Sequence, residues 1–164
     1  MDWEKAANIA TVVEAIVVTV SILFIWKQLR QQTKLTRIAN TQALVAISSP
    51  FNLELIKDPE MAALWVKGAK DYGTFDEVRQ YQYKSLLIWW LIFQENIFYQ
   101  KKEGLLDEKI YVSWDYDLRF FVRQQNLSER WGELNNAFQA EFRGYVTGLI
   151  NENVLNNAIK PTTK

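Results

Sequence analysis

Three polar residues lie seven positions apart in the most apolar stretch of the chain: Glu14, Ser21 and Gln28. Seven residues make nearly two helical turns, so these side chains form one stripe that drifts by only about 20° per heptad. An ionised carboxylate costs about 2.5–3.5 kcal/mol at the centre of a membrane span, a cost that protonation or a facing partner lowers. We expect the stripe to support helix association in a homo-oligomer, with a polar path along it as one possibility. The alternative is an unpaired or dimeric anchor in which Glu14 is protonated near the lipid headgroups.

Glu95 is the second carboxylate in apolar surroundings, directly after the run from Leu86 to Phe93. A carboxylate in such a place could act as a general base. The interpretation that we favour is an internal ion pair with an arginine. The candidate arginines are Arg119, Arg123 and Arg143.

The amino-acid composition excludes most other kinds of catalytic and metal-binding site. The chain has no histidine and no cysteine, which excludes the usual zinc sites, thiol nucleophiles and triads that contain histidine. It has six glycines and no glycine-rich phosphate loop. Asp115 and Asp117 are two positions apart and therefore lie on different helix faces, which does not suit a paired-carboxylate or metal site. We predict no catalytic residue, no metal and no cofactor, and hence no enzyme.

Tryptophans are frequent in the second half of the chain. Four of them, Trp89, Trp90, Trp114 and Trp131, fall within predicted helices. Core packing is the interpretation that we favour, and a cage that stacks on a ligand is the alternative.

The elements that position these residues begin with a predicted transmembrane helix over residues 6–26. Between Ile9 and Trp26 the only ionisable side chain is Glu14, and this stretch would span roughly 27 Å as a helix. Trp3 and Trp26 bracket it at the places where indoles anchor at the two interfaces. A long buried helix of a soluble bundle is the competing interpretation.

The charges on the two flanks of this segment predict its orientation. The basic residues Lys27, Arg30, Lys34 and Arg37 follow it, and no acidic residue occurs again before Glu54. The positive-inside rule therefore places residues 1–5 outside and the rest of the chain in the cytoplasm. The basic side chains would contact lipid headgroups, and the zero net charge of the chain argues against nucleic-acid binding.

The remaining sequence predicts an all-α domain. A juxtamembrane helix over 27–48 should end at Ser49-Pro50, and a helical bundle should follow over 49–152, with a frayed tail over 153–164. Within the bundle, Asp58-Pro59-Glu60 is a helix start, and Thr74 with Glu77 forms a capping box for a long helix to about Lys102, with Gly104 as its stop. Its apolar run predicts that this helix is buried at the centre of the bundle, and a second membrane span is the competing interpretation. Ser128 should cap a short helix, and the last helix should run from about Gln139 to Glu152.

The order of these signals resembles a group of small bacterial membrane proteins with one N-terminal span and a helical cytoplasmic domain, a family of unknown function. The resemblance covers roughly residues 8–150, with Gln32 in place of the usual asparagine before Thr33. It implies a bacterial inner membrane and no particular activity. The residues that carry it are Glu14-Ala15-Ile16, Ser21, Gln28-Leu29-Arg30-Gln31-Gln32-Thr33, Asp58-Pro59-Glu60, Glu95, Gly104-Leu105-Leu106-Asp107, Trp131, Phe142 and Tyr145-Val146.

Two main hypotheses of function follow from the sequence, besides a third that we favour least, an enzyme that uses carboxylates with Glu95 as its only buried candidate. The first is a membrane-anchored interaction or scaffold protein that forms a homo-oligomer through its transmembrane helix and binds an unknown protein partner. The alternative is an oligomeric ion channel or transport accessory subunit, with the stripe of Glu14, Ser21 and Gln28 along its path.

Overall fold

The chain is all-α, as the sequence predicts. The computed structural model describes residues 2–159, without the side chains of residues 5–7 and 155–159. The described residues form six α-helices joined by short turns and three single-turn 3₁₀ segments. The helices are α1 Trp3–Lys57, α2 Pro59–Asp71, α3 Glu77–Lys102, α4 Glu108–Gln124, α5 Trp131–Leu134 and α6 Ala140–Ile159. Contacts divide the chain into an N-terminal unit, Met1–Asn40, and a C-terminal unit, Thr41–Lys164.

The N-terminal unit consists of the first part of α1. Within the described residues, α1 is the one helix long and apolar enough to cross a membrane, and none of the side chains in its most apolar stretch is buried. The hydroxyl of Thr19 donates to the carbonyl of Ala15 at 2.8 Å, and that of Ser21 donates to the carbonyl of Val17 at 2.8 Å. Both donors are therefore satisfied inside the helix, as an apolar surrounding requires.

The core of the C-terminal unit surrounds α3. Seven side chains of this helix are buried, which confirms the prediction of a central buried helix: Tyr83, Leu87, Trp90, Leu91, Phe93, Gln94 and Ile97. The first four of these pack with Leu118, Phe121 and Val122 of α4 and with Phe142 and Val146 of α6, whereas Phe93 and Ile97 belong to a second, smaller cluster. The apolar run is not buried on all sides, however, because Trp89 and Ile92 remain exposed.

The prediction of a helix end at Ser49-Pro50 is wrong. Pro50 lies inside α1, which continues to Lys57. A proline removes one backbone hydrogen bond, but Phe51 beyond it is buried against Trp65 and Trp89, and this packing favours the continued helix. The C-terminal unit also begins at Thr41 rather than at 49, because Leu44 is buried against Phe93, Ile97 and Leu106.

The helix ends of the C-terminal unit follow local sequence signals in part. Asp58 caps α2 as predicted, with its carboxylate accepting from the N–H groups of Glu60 and Met61. At α3 the cap is Asp76, which accepts from the N–H of Arg79, so the predicted capping box of Thr74 is wrong. Thr74 instead lies in a 3₁₀ turn, where its hydroxyl donates to the carbonyl of Asp71.

The last elements also differ from the prediction in detail. Ser128 lies in a 3₁₀ turn and donates to the side chain of Asn126, so it does not cap α5. The final helix α6 extends to Ile159, past the predicted end at Glu152. Part of the predicted tail is therefore helical, and residues 160–164 of it lie outside the described residues.

Candidate functional site

The stripe of Glu14, Ser21 and Gln28 lies on one continuous helix. All three positions belong to α1 and are exposed in the N-terminal unit. Because the helix is uninterrupted through these residues, the spacing of seven keeps them on one face. The hydroxyl of Ser21 already donates to its own helix, which leaves its oxygen as an acceptor for a neighbouring helix.

The basic residues that follow the apolar stretch are all exposed: Lys27, Arg30, Lys34 and Arg37. The guanidinium of Arg30 lies 3.8 Å from the centroid of the Trp26 ring, one helical turn back. Trp3, the second predicted anchor, is 73% exposed. Trp26 and the four basic residues thus place an indole beside several positive charges, a combination that suits the interface of a bilayer.

Glu95 binds a helix terminus. Its Oε1 accepts a hydrogen bond at 2.7 Å from the backbone N–H of Gln139, the residue that precedes α6. The three arginines suggested as ion-pair partners have other contacts: Arg119 with Asp115 and Glu152, Arg123 with Asn153 and Arg143 with Asn136. The half-buried carboxylate of Glu95 therefore serves to fix the start of α6 against α3.

We expect Glu95→Ala to lower the free energy of unfolding by about 1 kcal/mol, the usual cost of losing a helix cap. Glu95→Gln keeps an acceptor oxygen and should lose less than half of that. Chemical unfolding of both variants in detergent, followed by tryptophan fluorescence, measures the difference. Equal stability of Glu95→Ala and the unchanged chain would show that the hydrogen bond contributes nothing.

Aromatic rings surround a cavity of about 240 Å³ in the C-terminal unit. Three of the four tryptophans noted in the sequence line it, Trp89, Trp90 and Trp114, together with Trp65. The fourth, Trp131, is buried elsewhere, stacked on Phe138. Its Nε1 donates to the hydroxyl of Thr147 at 2.9 Å, so Trp131 lies apart from the three tryptophans that share the cavity.

The aromatic rings around this cavity form a connected chain of ring contacts. Phe51 contacts Trp65 edge-on at 5.3 Å between centroids and stacks on Trp89 at 4.7 Å. Phe93 stacks on Trp89 at 6.3 Å and meets Trp114 edge-on at 5.2 Å. Such contacts hold the rings in place, so the wall of the cavity is preorganised.

Asp117 is the charged residue of this wall. It shares one face of α4 with Trp114, three residues before it, and Phe121, four residues after it. The side chain still reaches solvent, and the protein atoms around it raise the pKa of its carboxyl by desolvation. The sequence suggested a ligand-stacking cage of tryptophans only as an alternative and did not include Asp117 in it, although the three-and-four spacing of Trp114, Asp117 and Phe121 could have indicated that Asp117 belongs there.

Asp115 faces a different neighbour, as its spacing of two from Asp117 requires. Its carboxylate accepts hydrogen bonds from the hydroxyl of Tyr145 and from Nε of Arg119 at 2.8 Å. Arg119 also donates to Glu152 at 3.0 Å, so this network joins α4 to α6. Burial, followed by the hydrogen bond to Asp115, raises the pKa of the Tyr145 hydroxyl, which keeps it protonated as a donor.

Comparison with known proteins does not assign the chain to a family. No protein-family model, no curated protein and no solved structure matches it. Within residues 2–159, no group of three or more acidic side chains is placed to hold a metal ion.

Proposed function

We propose that this protein is a membrane-anchored helical interaction module that associates with copies of itself through α1. The supporting observation is that none of the side chains in the most apolar stretch of α1 is buried. A core helix of a soluble protein would bury its apolar side chains, since each one gains about 1.5–3 kcal/mol on full burial. A bilayer provides such an apolar surrounding for a helical stretch of about 20 apolar residues.

Self-association is proposed from the stripe on this helix. In lipid, apolar side chains gain no hydrophobic free energy when they exchange lipid contacts for contacts with another helix. Helices therefore associate through small and polar residues. Glu14, Ser21 and Gln28 are exposed on one face, whereas the opposite face carries apolar residues such as Leu23. A second copy of the helix would shield the carboxyl of Glu14 from the acyl chains.

The proposed location is a bacterial inner membrane, with the N-terminus outside and the C-terminal unit in the cytoplasm. The exposed basic residues that follow the apolar stretch support this orientation, and the resemblance to bacterial single-span proteins supports the membrane. The C-terminal unit would then present its surface to partners in the cytoplasm.

Disulfide crosslinking in membranes tests the association. The chain has no cysteine, so each introduced cysteine reports on one position. We expect Ser21→Cys to form a disulfide-linked dimer on oxidation and Leu23→Cys, about 200° away around the helix, to form far less. Glu14→Leu in the Ser21→Cys background should weaken association by about 1 kcal/mol.

Equal crosslinking at Ser21→Cys and Leu23→Cys would contradict a specific stripe. Release of the chain from membranes by alkaline carbonate would contradict the span itself. Labelling of Ser128→Cys by an impermeant maleimide in intact cells, without opening of the membrane, would contradict the orientation.

A further inference from the structure

The aromatic cavity of the C-terminal unit combines electron-rich rings with a single acidic group. Of the side chains that line it in the described part of the chain, Asp117 is the only ionisable one. The other polar lining groups are neutral, namely Ser48, Asn52 and Gln124. The wall therefore has one negative charge and no positive charge of its own.

The accessible rings are placed to contact a ligand. Trp89 is 38% exposed and Phe120 is 52% exposed, while Trp65 and Trp114 are half-buried. Exposed aromatic groups that are clustered around a concave surface are typical of binding sites. Phe121 and Trp90, stacked at 3.8 Å between centroids, are buried beneath them.

The charge of Asp117 discriminates between classes of ligand. A neutral apolar ligand would displace water from the carboxylate and leave its charge without compensation, which is costly. An anion would be repelled. A metal ion such as Ca²⁺ needs six or more oxygen ligands, and the side chains of the lining offer one carboxylate and the neutral oxygens of Ser48, Asn52 and Gln124, which are too few. An organic cation satisfies both the carboxylate and the faces of the rings.

We infer that this cavity binds a small organic cation that carries an ammonium group, held between Asp117 and the faces of the surrounding rings. A quaternary or methylated ammonium fits best, because aromatic cages recognise such groups through cation–π attraction. The volume of about 240 Å³ lies below that of sites for drug-sized molecules, which indicates a ligand of only a few carbon atoms.

A pair of probes on the full-length chain in maltoside detergent tests this inference. Choline carries a quaternary ammonium, and 3,3-dimethyl-1-butanol is its neutral isostere. Four of the seven tryptophans line the cavity, so their fluorescence reports on binding. We expect a saturable response to choline chloride over sodium chloride of equal ionic strength, and about tenfold weaker binding of the neutral analogue.

The matched variants are Asp117→Asn and Asp115→Asn, which remove neighbouring carboxylates on different faces of α4. Asp117→Asn should weaken choline binding about tenfold, and Asp115→Asn should leave it unchanged. Phosphatidylcholine in the micelles distinguishes the source of the cation, because loss of the choline response would assign the site to a lipid headgroup rather than to a free molecule. Equal affinity for choline and its neutral isostere, or no saturable response to choline, would overturn the inference without reference to any variant.

Discussion

We expect replacement of Arg130 by methionine to lower the free energy of unfolding by about 3 kcal/mol. Arg130 is only 5% exposed. Its Nη2 donates to the carbonyl of Gly68 at 2.9 Å, and its Nη1 donates to the carbonyl of Gln125 at 3.2 Å. Methionine keeps the apolar stem but removes both guanidinium donors, and a buried acceptor that loses a hydrogen bond is left with part of its desolvation cost uncompensated.

The rings around Arg130 add to this effect. Its guanidinium lies 4.8 Å from the centroid of Tyr72 and 5.5 Å from that of Tyr83. Arg130 therefore joins α2, α3 and the segment after α4, and its loss should loosen all three. Arg130→Lys keeps the charge but not the planar fork of donors, so its stability should fall between those of Arg130→Met and the unchanged chain.

Thermal or chemical unfolding of the full chain in detergent measures the effect of Arg130→Met. Arg123→Met is the matched control, because Arg123 is exposed and its guanidinium hydrogen-bonds to the side chain of Asn153 on the protein surface. Its loss should change stability by no more than about 0.5 kcal/mol. Similar losses in the two variants would show that the buried hydrogen bonds of Arg130 contribute no more to the free energy of unfolding than the exposed ones of Arg123.

We expect replacement of Gly68 by alanine to lower the free energy of unfolding by about 2 kcal/mol. A Cβ at this position would lie 2.4 Å from Cδ2 and 2.5 Å from Cε2 of Tyr83. The Tyr83 ring cannot move aside easily, because it is fully buried and its hydroxyl donates to Oε1 of Gln125 at 2.7 Å. The helix propensity of alanine would favour the change by up to about 1 kcal/mol, and the steric overlap outweighs it.

Gly148→Ala is the matched control for this prediction. Gly148 also lies in a helix, α6, but nothing comes within 4 Å of a Cβ there. We expect this variant to be as stable as the unchanged chain or more stable, by up to about 1 kcal/mol. The melting temperatures of the two variants should therefore move in opposite directions. A gain in stability for Gly68→Ala would contradict the close packing of α2 against α3.

The two sites are coupled through one hydrogen bond. The carbonyl of Gly68 accepts from Arg130, and both residues contact Tyr83. A shift of α2 caused by Gly68→Ala would already weaken this bond. The double variant should consequently lose less than the sum of the two single losses, because residues that share a partner are not independent.

Local sequence signals predicted those features that depend only on residues a few positions apart in the chain. The Asp58-Pro59-Glu60 start, the end of α3 before Gly104 and the opposite faces of Asp115 and Asp117 could all be predicted. Each depends on helical period or on a hydrogen bond within a few residues. At Thr74 two local signals competed, and Asp76, closer to the helix, provides the cap.

The sequence by itself determined that the chain is helical and that its N-terminal stretch is long and apolar enough to cross a membrane, because periodicity and composition are properties of neighbouring residues. Tertiary structure decided the rest. The packing of Phe51 keeps Pro50 inside a continuous α1, Glu95 caps α6 from another helix, and Asp117 lines one cavity with rings of α1, α2 and α3. These arrangements join residues far apart in the chain, and only the folded packing of the helices brings them together.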